Sequence, residues 1–393
     1  MAKDGRHSAP GTAAEQSKKK PRLLRHLLGL ALVAGVVLGA AALTTMGEDS
    51  VHFASLRRWL MYGETSGTGD AFVYAADPDN RFARLGDHLL VVSPNVLRLL
   101  QSNGAAICEE AVRMTSPQIS VGARQAAVCD VGGGVLYLLD RNGLRRTMTA
   151  ENGLCYYSAR LNGSDYLAVT EQKGGFKASL SVYDSTGRQV FQFDSYDSYL
   201  SDAIVTEDCR YAAAVSLEAR EGAFASTLLV YDLLSAELVS SRPIRDGLVL
   251  DLNNSRDRLL AVCDRRFSIA TTAGESLLDR TFGNLYLHGY ALTGDGFSAL
   301  LLGRYQSGNV CTLTTYDMDG GEIASLDLTE EVLDLDARGD RLAVLFSDSL
   351  VVYTRDLQEY ARLDDTGYAG TIEMGEDGSV LLIASTEAQR FLP

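Results

Sequence analysis

Apolar and polar positions alternate along most of the chain in a phrase that returns seven times: an apolar strand, a polar turn usually holding Gly, then a second apolar run. VLRLLQSNGAAI (96–107), LSVYDSTGRQVF (180–191), LTTYDMDGGEIA (313–324) and LVVYTRDLQEYA (350–361) are four of the copies, and successive copies lie about 42 residues apart. Across Leu180, Ser181, Val182 and Tyr183 the alternation has period two, which sends successive side chains to opposite faces of a strand. The turns favour Asp or Asn beside Gly, the residue that reaches positive φ without a Cβ clash.

A second element precedes each phrase, a polar turn and then a short apolar strand, as in GDHLLVV (86–92), SRDRLLAV (255–262) and RGDRLAVL (338–345). Four short strands in about 42 residues make one blade and leave little room for helices, so the pattern predicts an all-β propeller. An eighth copy of the second element, EDGSVLLIA (376–384), is followed only by STEAQRFLP, so the last blade lacks its outer strand. The orphan strand Ala71–Ala75, ahead of the first blade, is the missing piece. Sharing a blade between both ends removes open sheet edges, whose unpaired N–H and C=O groups invite association. The expectation is eight four-stranded blades over residues 71–393, closed by the N- and C-terminal strands. Seven blades, with the tail packed elsewhere, is the alternative.

Ahead of the repeats the pattern changes. Residues 1–25 are polar and basic, and an uncharged apolar run follows from Leu27 to Leu43, extendable to Met46. Its length suits a bilayer core of about 30 Å, and the basic flank belongs on the cytoplasmic side. This predicts a cytoplasmic tail (1–25), a single-pass signal anchor (26–46) and a propeller outside the cytoplasm; a cleaved signal peptide ending near Ala40–Ala42 is the alternative. Ala31, Gly35 and Gly39 share one helix face at four-residue spacing, a pattern that lets two membrane helices pair as a dimer. Residues 47–70 read as a juxtamembrane amphipathic helix, SVHFASLRRWLMY (50–62), and a linker, GETSGTGD (63–70).

Charge divides the chain at the same place. The first 25 residues hold seven basic and two acidic side chains, so the remainder is more negative than the −15 of the whole. Such a domain repels nucleic acid and predicts no nucleic-acid partner. Against that background, cations gather in a few loops. In a propeller the second-to-third loops and the links between blades share one rim, and three second-to-third loops are expanded. EQKGGFKAS (171–179) carries Lys173, Phe176 and Lys177, the only two lysines beyond the anchor among them; EAREGAFAS (218–226) carries Arg220 and Phe224; GRYQSGN (303–309) carries Arg304 and Tyr305. Arg265 and Arg266 join from a short loop, and Tyr196 and Tyr199 from an inter-blade link. Cations among aromatics suit an anionic or glycan-like ligand, or an envelope protein. Solvation of surface loops would produce charges there as well. The opposite rim collects acidic turn residues such as Asp184, Glu207, Asp295, Asp317 and Asp340.

Catalytic signatures are scarce. HExxH, GxSxG, CxxC and GxGxxG are all absent, which leaves no catalytic residues, cofactor or metal expected. Asp317 with Asp319, and Asp334 with Asp336 and Asp340, lack the spacing of a calcium loop and read as turn chemistry. Of six cysteines, Cys129 and Cys263 repeat in AVCD and read as buried small hydrophobes.

With the basic tail, the anchor, LRRWLMY before a Gly-rich linker and the VYDxxG turns in place, the chain resembles uncharacterised bacterial single-pass membrane proteins with an extracytoplasmic WD40-like or quinoprotein-like propeller. Trp-Asp dipeptides are missing and the propeller holds no Trp, so neither WD40 packing tryptophans nor a quinone sandwich carries over. That group has no assigned activity to carry over; a membrane-tethered binding or assembly scaffold accounts for the chain's features without catalytic residues. An enzyme acting on surface glycans through Asp194, Asp197 or Asp202 is the alternative, and would need paired carboxylates facing each other at about 5–10 Å.

Overall fold

The computed structural model describes residues 66–69, 71–220, 223–244 and 247–393, without the side chains at 220 and 223. The expected tail, anchor and juxtamembrane helix, with the Ala31, Gly35 and Gly39 face, lie outside the described residues. Among the described residues no helix is long and apolar enough to cross a membrane.

Seven four-stranded antiparallel sheets succeed one another along the chain, each a simple meander. We number them as blades 1 to 7 by their first strands: Arg81–Leu85, Pro117–Val121, Tyr156–Leu161, Tyr199–Val205, Val249–Ser255, Tyr286–Gly294 and Val332–Arg338. Blade 8 takes Thr371–Met374, Val380–Ile383 and Glu387–Leu392 from the C-terminus, and Gly67–Thr68 and Phe72–Val73 both pair with Glu387–Leu392. The ring therefore has eight blades and is closed by strands from the two ends, which excludes the seven-blade alternative. The closing strand starts at Gly67, inside the stretch read as linker, and is split in two.

First strands of successive blades pack on one another around the ring, blade 8 on blade 1 included, so they line the central channel. Second strands are apolar on both faces because both face a neighbouring blade: Leu259 to Cys263 are all buried. Fourth strands lie outermost and alternate, as in Glu322–Leu328. Cys129 and Cys263 are fully buried, and none of the six cysteines is in a disulfide.

Eight apolar clusters hold the ring, each straddling two adjacent blades. The closing cluster joins Phe72 and Tyr74 from the N-terminus to Leu381 and Ile383 of blade 8 and Leu89 and Val91 of blade 1. The Tyr74 hydroxyl also donates to the Ala384 carbonyl. Truncating a buried aromatic such as Phe72 removes about 3–5 kcal/mol, so the closing strand is a substantial part of the fold.

The turn between third and fourth strands needs one left-handed residue. Gly104, Gly187, Gly274 and Gly320 supply it with φ of 82, 84, 88 and 88°. In blades 4 and 7, where the sequence phrase is degenerate, Ala236 and Leu357 take the position at 58 and 57°.

Candidate functional site

Loops alternate between two rims. We call upper the rim with the second-to-third loops and the links between blades. Among the described residues, eleven of the sixteen exposed large apolar side chains lie on this rim. Tyr196, Tyr199 and Phe224 belong to blades 3 and 4, Leu248 and Leu250 to blade 5, and Leu285, Tyr286, Tyr305, Val310, Leu333 and Tyr368 to the sector around blades 6 and 7.

In blades 3 to 7 the first strand carries a β-bulge near its upper end, at Tyr157, Ser201, Leu250, His288 and Leu333. A bulge inserts one unpaired residue and re-aims its side chain. These residues stand around the channel mouth. Blades 1, 2 and 8 have no such bulge.

Five of the sequence-predicted residues converge on blades 3 and 4. Phe176 packs on Tyr196 at 4.3 Å between ring centroids, and Tyr199 meets Tyr157 edge-on at 6.3 Å. Lys173 Nζ lies 5.5 Å from the Phe176 ring, and Lys177 Nζ 5.7 Å from that of Tyr199. Both ammonium groups are already engaged. Lys173 donates to both oxygens of Asp194 at 2.7 and 2.8 Å, and Lys177 donates to the Asp197 carbonyl at 2.7 Å. Partial burial works to raise the Asp194 pKa, but bonds from Lys173, Gln192 and Ser179 outweigh it and hold the carboxyl below its usual range.

The remaining predicted residues do not join this cluster. Phe224 is exposed at the tip of the blade 4 hairpin, and the Arg220 side chain lies outside the described residues. Tyr305 and Arg304 are exposed on blade 6, where the Tyr305 carbonyl meets His288 Nε2 at 2.8 Å. Arg265 is exposed with Asp264 at 3.8 Å. Arg266 is corrected as a rim residue: it is 9% exposed and its Nη1 bonds Asp279 at 2.6 Å, because it opens the third strand of blade 5 and points at the fourth.

The channel holds two polar groups of its own. Arg160 of blade 3 reaches past blade 4, donating to Asp251 of blade 5 at 2.9 Å, to the Leu252 carbonyl at 2.9 Å and to Asp202 of blade 4 at 3.3 Å. Ser158 also donates to Asp202. Asp202 therefore belongs to an inter-blade tie in the channel, while Asp194 is bound by Lys173, so two of the three carboxylates proposed for glycan cleavage are held by separate partners.

On the far side, Asp334 and Asp336 lie in the first strand of blade 7, not in a turn. They accept the N–H groups of Ile372 at 2.9 Å and Met374 at 2.7 Å in blade 8. Glu373 stands between those two amides. Part of its surface reaches the channel, yet protein surrounds it: burial, then Asp336 and Asp334, push its pKa well above normal against Arg84 and Arg338. Burial raises Asp336 to about 6. Among the described residues no group of His, Cys, Asp or Glu is placed to hold a metal ion. Asp340 pairs with Arg341, Asp319 with Arg258, and Asp295 with Arg256, so the lower rim's acids are tied into turns and ion pairs.

Sequence reading missed the apolar residues at Leu248, Leu250, Leu285, Val310, Leu333 and Tyr368. Only the recurring VLDL of 249–252 and 332–335 marked two of them, since it spells the bulge residue and the channel Asp after it.

Solved propellers share this architecture. BamB from Moraxella catarrhalis is 12% identical over 83% of this chain and 99% of that one, with a TM-score of 0.52. The C-terminal WD40 domain of Sif2 is 12% identical over 82% and 99%, at 0.54. Saccharomyces cerevisiae Sqt1 is 11% identical over 83% and 98%, at 0.59. At these identities the likeness is one of fold, and the fold is a WD40-like propeller. No curated protein sequence matches the chain. Residues 73–389 match the Family of unknown function (DUF5711), and the chain belongs to that family.

Proposed function

We propose that this protein is a membrane-tethered scaffold whose upper rim binds a polypeptide partner in the envelope. The observation that carries the reading is the concentration of exposed apolar and aromatic side chains on one rim, with Tyr368 98%, Tyr305 70%, Tyr196 68% and Phe224 64% exposed. Large exposed apolar patches on soluble domains mark interaction surfaces, and aromatic side chains dominate the anchors of protein interfaces. An anionic or glycan ligand is less well served, because Lys173, Lys177 and Arg266 are bound by the protein's own oxygen atoms. Tethering rests on the apolar run of residues 27–43 and its basic flank. Gly67 pairs with Leu392 at the lower end of blade 8, the end away from the aromatic rim.

Site-specific photo-crosslinking in cells tests this. A photoreactive side chain at Tyr196 or Tyr305 should yield discrete protein adducts, and the same group at Leu234 or Val239, exposed on blade 4 away from the upper rim, should not. Adducts from Leu234 alone would overturn the reading; loss of a bound polysaccharide on replacing Phe176 and Tyr196 would replace it with the glycan one.

A further inference from the structure

The upper rim is not electrostatically uniform. On blade 7 and its two links stand Glu330, Glu331, Asp348, Asp364 and Asp365, all exposed. The upper loops of that sector, residues 329–331, 347–348 and 365–370, contain no Lys or Arg. The Asp365 N–H donates to the Asp348 carbonyl at 3.0 Å, which draws the link to blade 8 onto the second-to-third loop of blade 7. Leu333, 41% exposed, and Tyr368, 98% exposed, stand among these acids. Blade 6 borders the arc with Tyr286, Tyr305 and Val310, exposed at 48, 70 and 55%. Elsewhere on the rim some loop charges are paired, as with Lys173 and Asp194. Here apolar surface adjoins an excess of negative charge, with Arg362 beside Asp364 and Arg304 on the blade 6 loop as its neighbouring cations.

Resting on the scaffold reading above, we propose that the blade 6–7 sector is the docking site and that its occupant is a basic, apolar polypeptide segment: apolar side chains on Tyr286, Tyr305 and Val310, and Lys or Arg over the acidic arc. Charge complementarity selects this occupant. Carboxylates gathered in excess over cations repel one another, and a basic segment relieves that repulsion while its apolar residues cover the adjoining patch. An acidic or polar segment would gain neither. The acids lie at the border of the patch, still in water, so they act chiefly on association rate and salt dependence, whereas the aromatics set the lifetime of the complex.

The test uses the full chain in nanodiscs of zwitterionic lipid, with empty discs subtracted, and three fluorescent peptides of equal length alternating Leu with Lys, Leu with Glu, and Ser with Lys. Anisotropy should show the Leu/Lys peptide binding at least about tenfold tighter than either other peptide. Glu330→Gln, Glu331→Gln and Asp364→Asn together should weaken it by about tenfold, three partly exposed pairs at about 0.5 kcal/mol each, and should flatten its salt dependence. Tyr305→Ser with Val310→Ser should weaken it without changing that salt dependence. Equal binding of the Leu/Glu peptide, or no response to the triple variant, overturns the basic partner. If the apolar variant still weakens the Leu/Glu peptide, the rim remains a polypeptide-binding face and only its charge preference falls. Binding by none of the peptides overturns the docking site, while the crosslinking at Tyr196 judges the scaffold reading separately.

Discussion

Glu373→Gln should stabilise the propeller at neutral pH and leave it unchanged near pH 5. Burial and the neighbouring Asp336 and Asp334 favour the protonated acid in the folded chain, against an ordinary value of 4.5. The folded state thus keeps a proton that the unfolded chain has released. Stability is fully present below the unfolded value and is lost as pH rises through the folded one. Each pH unit in that window costs about 1.4 kcal/mol, so the parent should lose stability through this position as pH rises from 5 toward the folded value. Asp336, raised to about 6, shares part of the titration, and the pair loses its protons as a unit. Gln keeps the shape of Glu and cannot ionise. Urea midpoints followed by far-UV circular dichroism at half-unit steps from pH 5 to 7.5 give the difference between variant and parent. A difference that grows steadily with pH fits the reasoning; a difference flat across the range would mean that Glu373 is already ionised in the folded ring, and would refute it.

Other expectations follow from single contacts. Arg160→Met should cost about 3–5 kcal/mol in urea denaturation, since it leaves Asp202 and Asp251 together without their cation in the channel. Phe72→Ala should cost about 3–5 kcal/mol, and deleting residues 66–75 should expose the Glu387–Leu392 edge and cause aggregation visible by light scattering. Ala236→Gly should stabilise by about 1 kcal/mol, because φ of 58° strains any residue with a Cβ; a neutral or negative effect would count against the turn argument.

The repeat period and the turn residues were enough to read an eight-bladed ring closed by its own termini. Both are local properties: a period near 42 residues, a left-handed Gly at one position, and a strand missing at one end that turns up at the other. The loop phrases likewise pointed to Phe176, Lys173 and Tyr196 on one rim, where the rings do meet. What the sequence left open depends on distance through space. A lysine looks free in sequence, yet Lys173 is bound by an Asp194 from another strand; Arg266 looks like a loop cation, yet its side chain turns inward onto Asp279. Asp334 and Asp336 resemble turn acids until the ring sets blade 8's amides against them. Strand alternation says which face a side chain takes, but only ring closure decides what stands opposite, so the pairing of charges and the joining of scattered apolar residues into one rim belong to the tertiary structure.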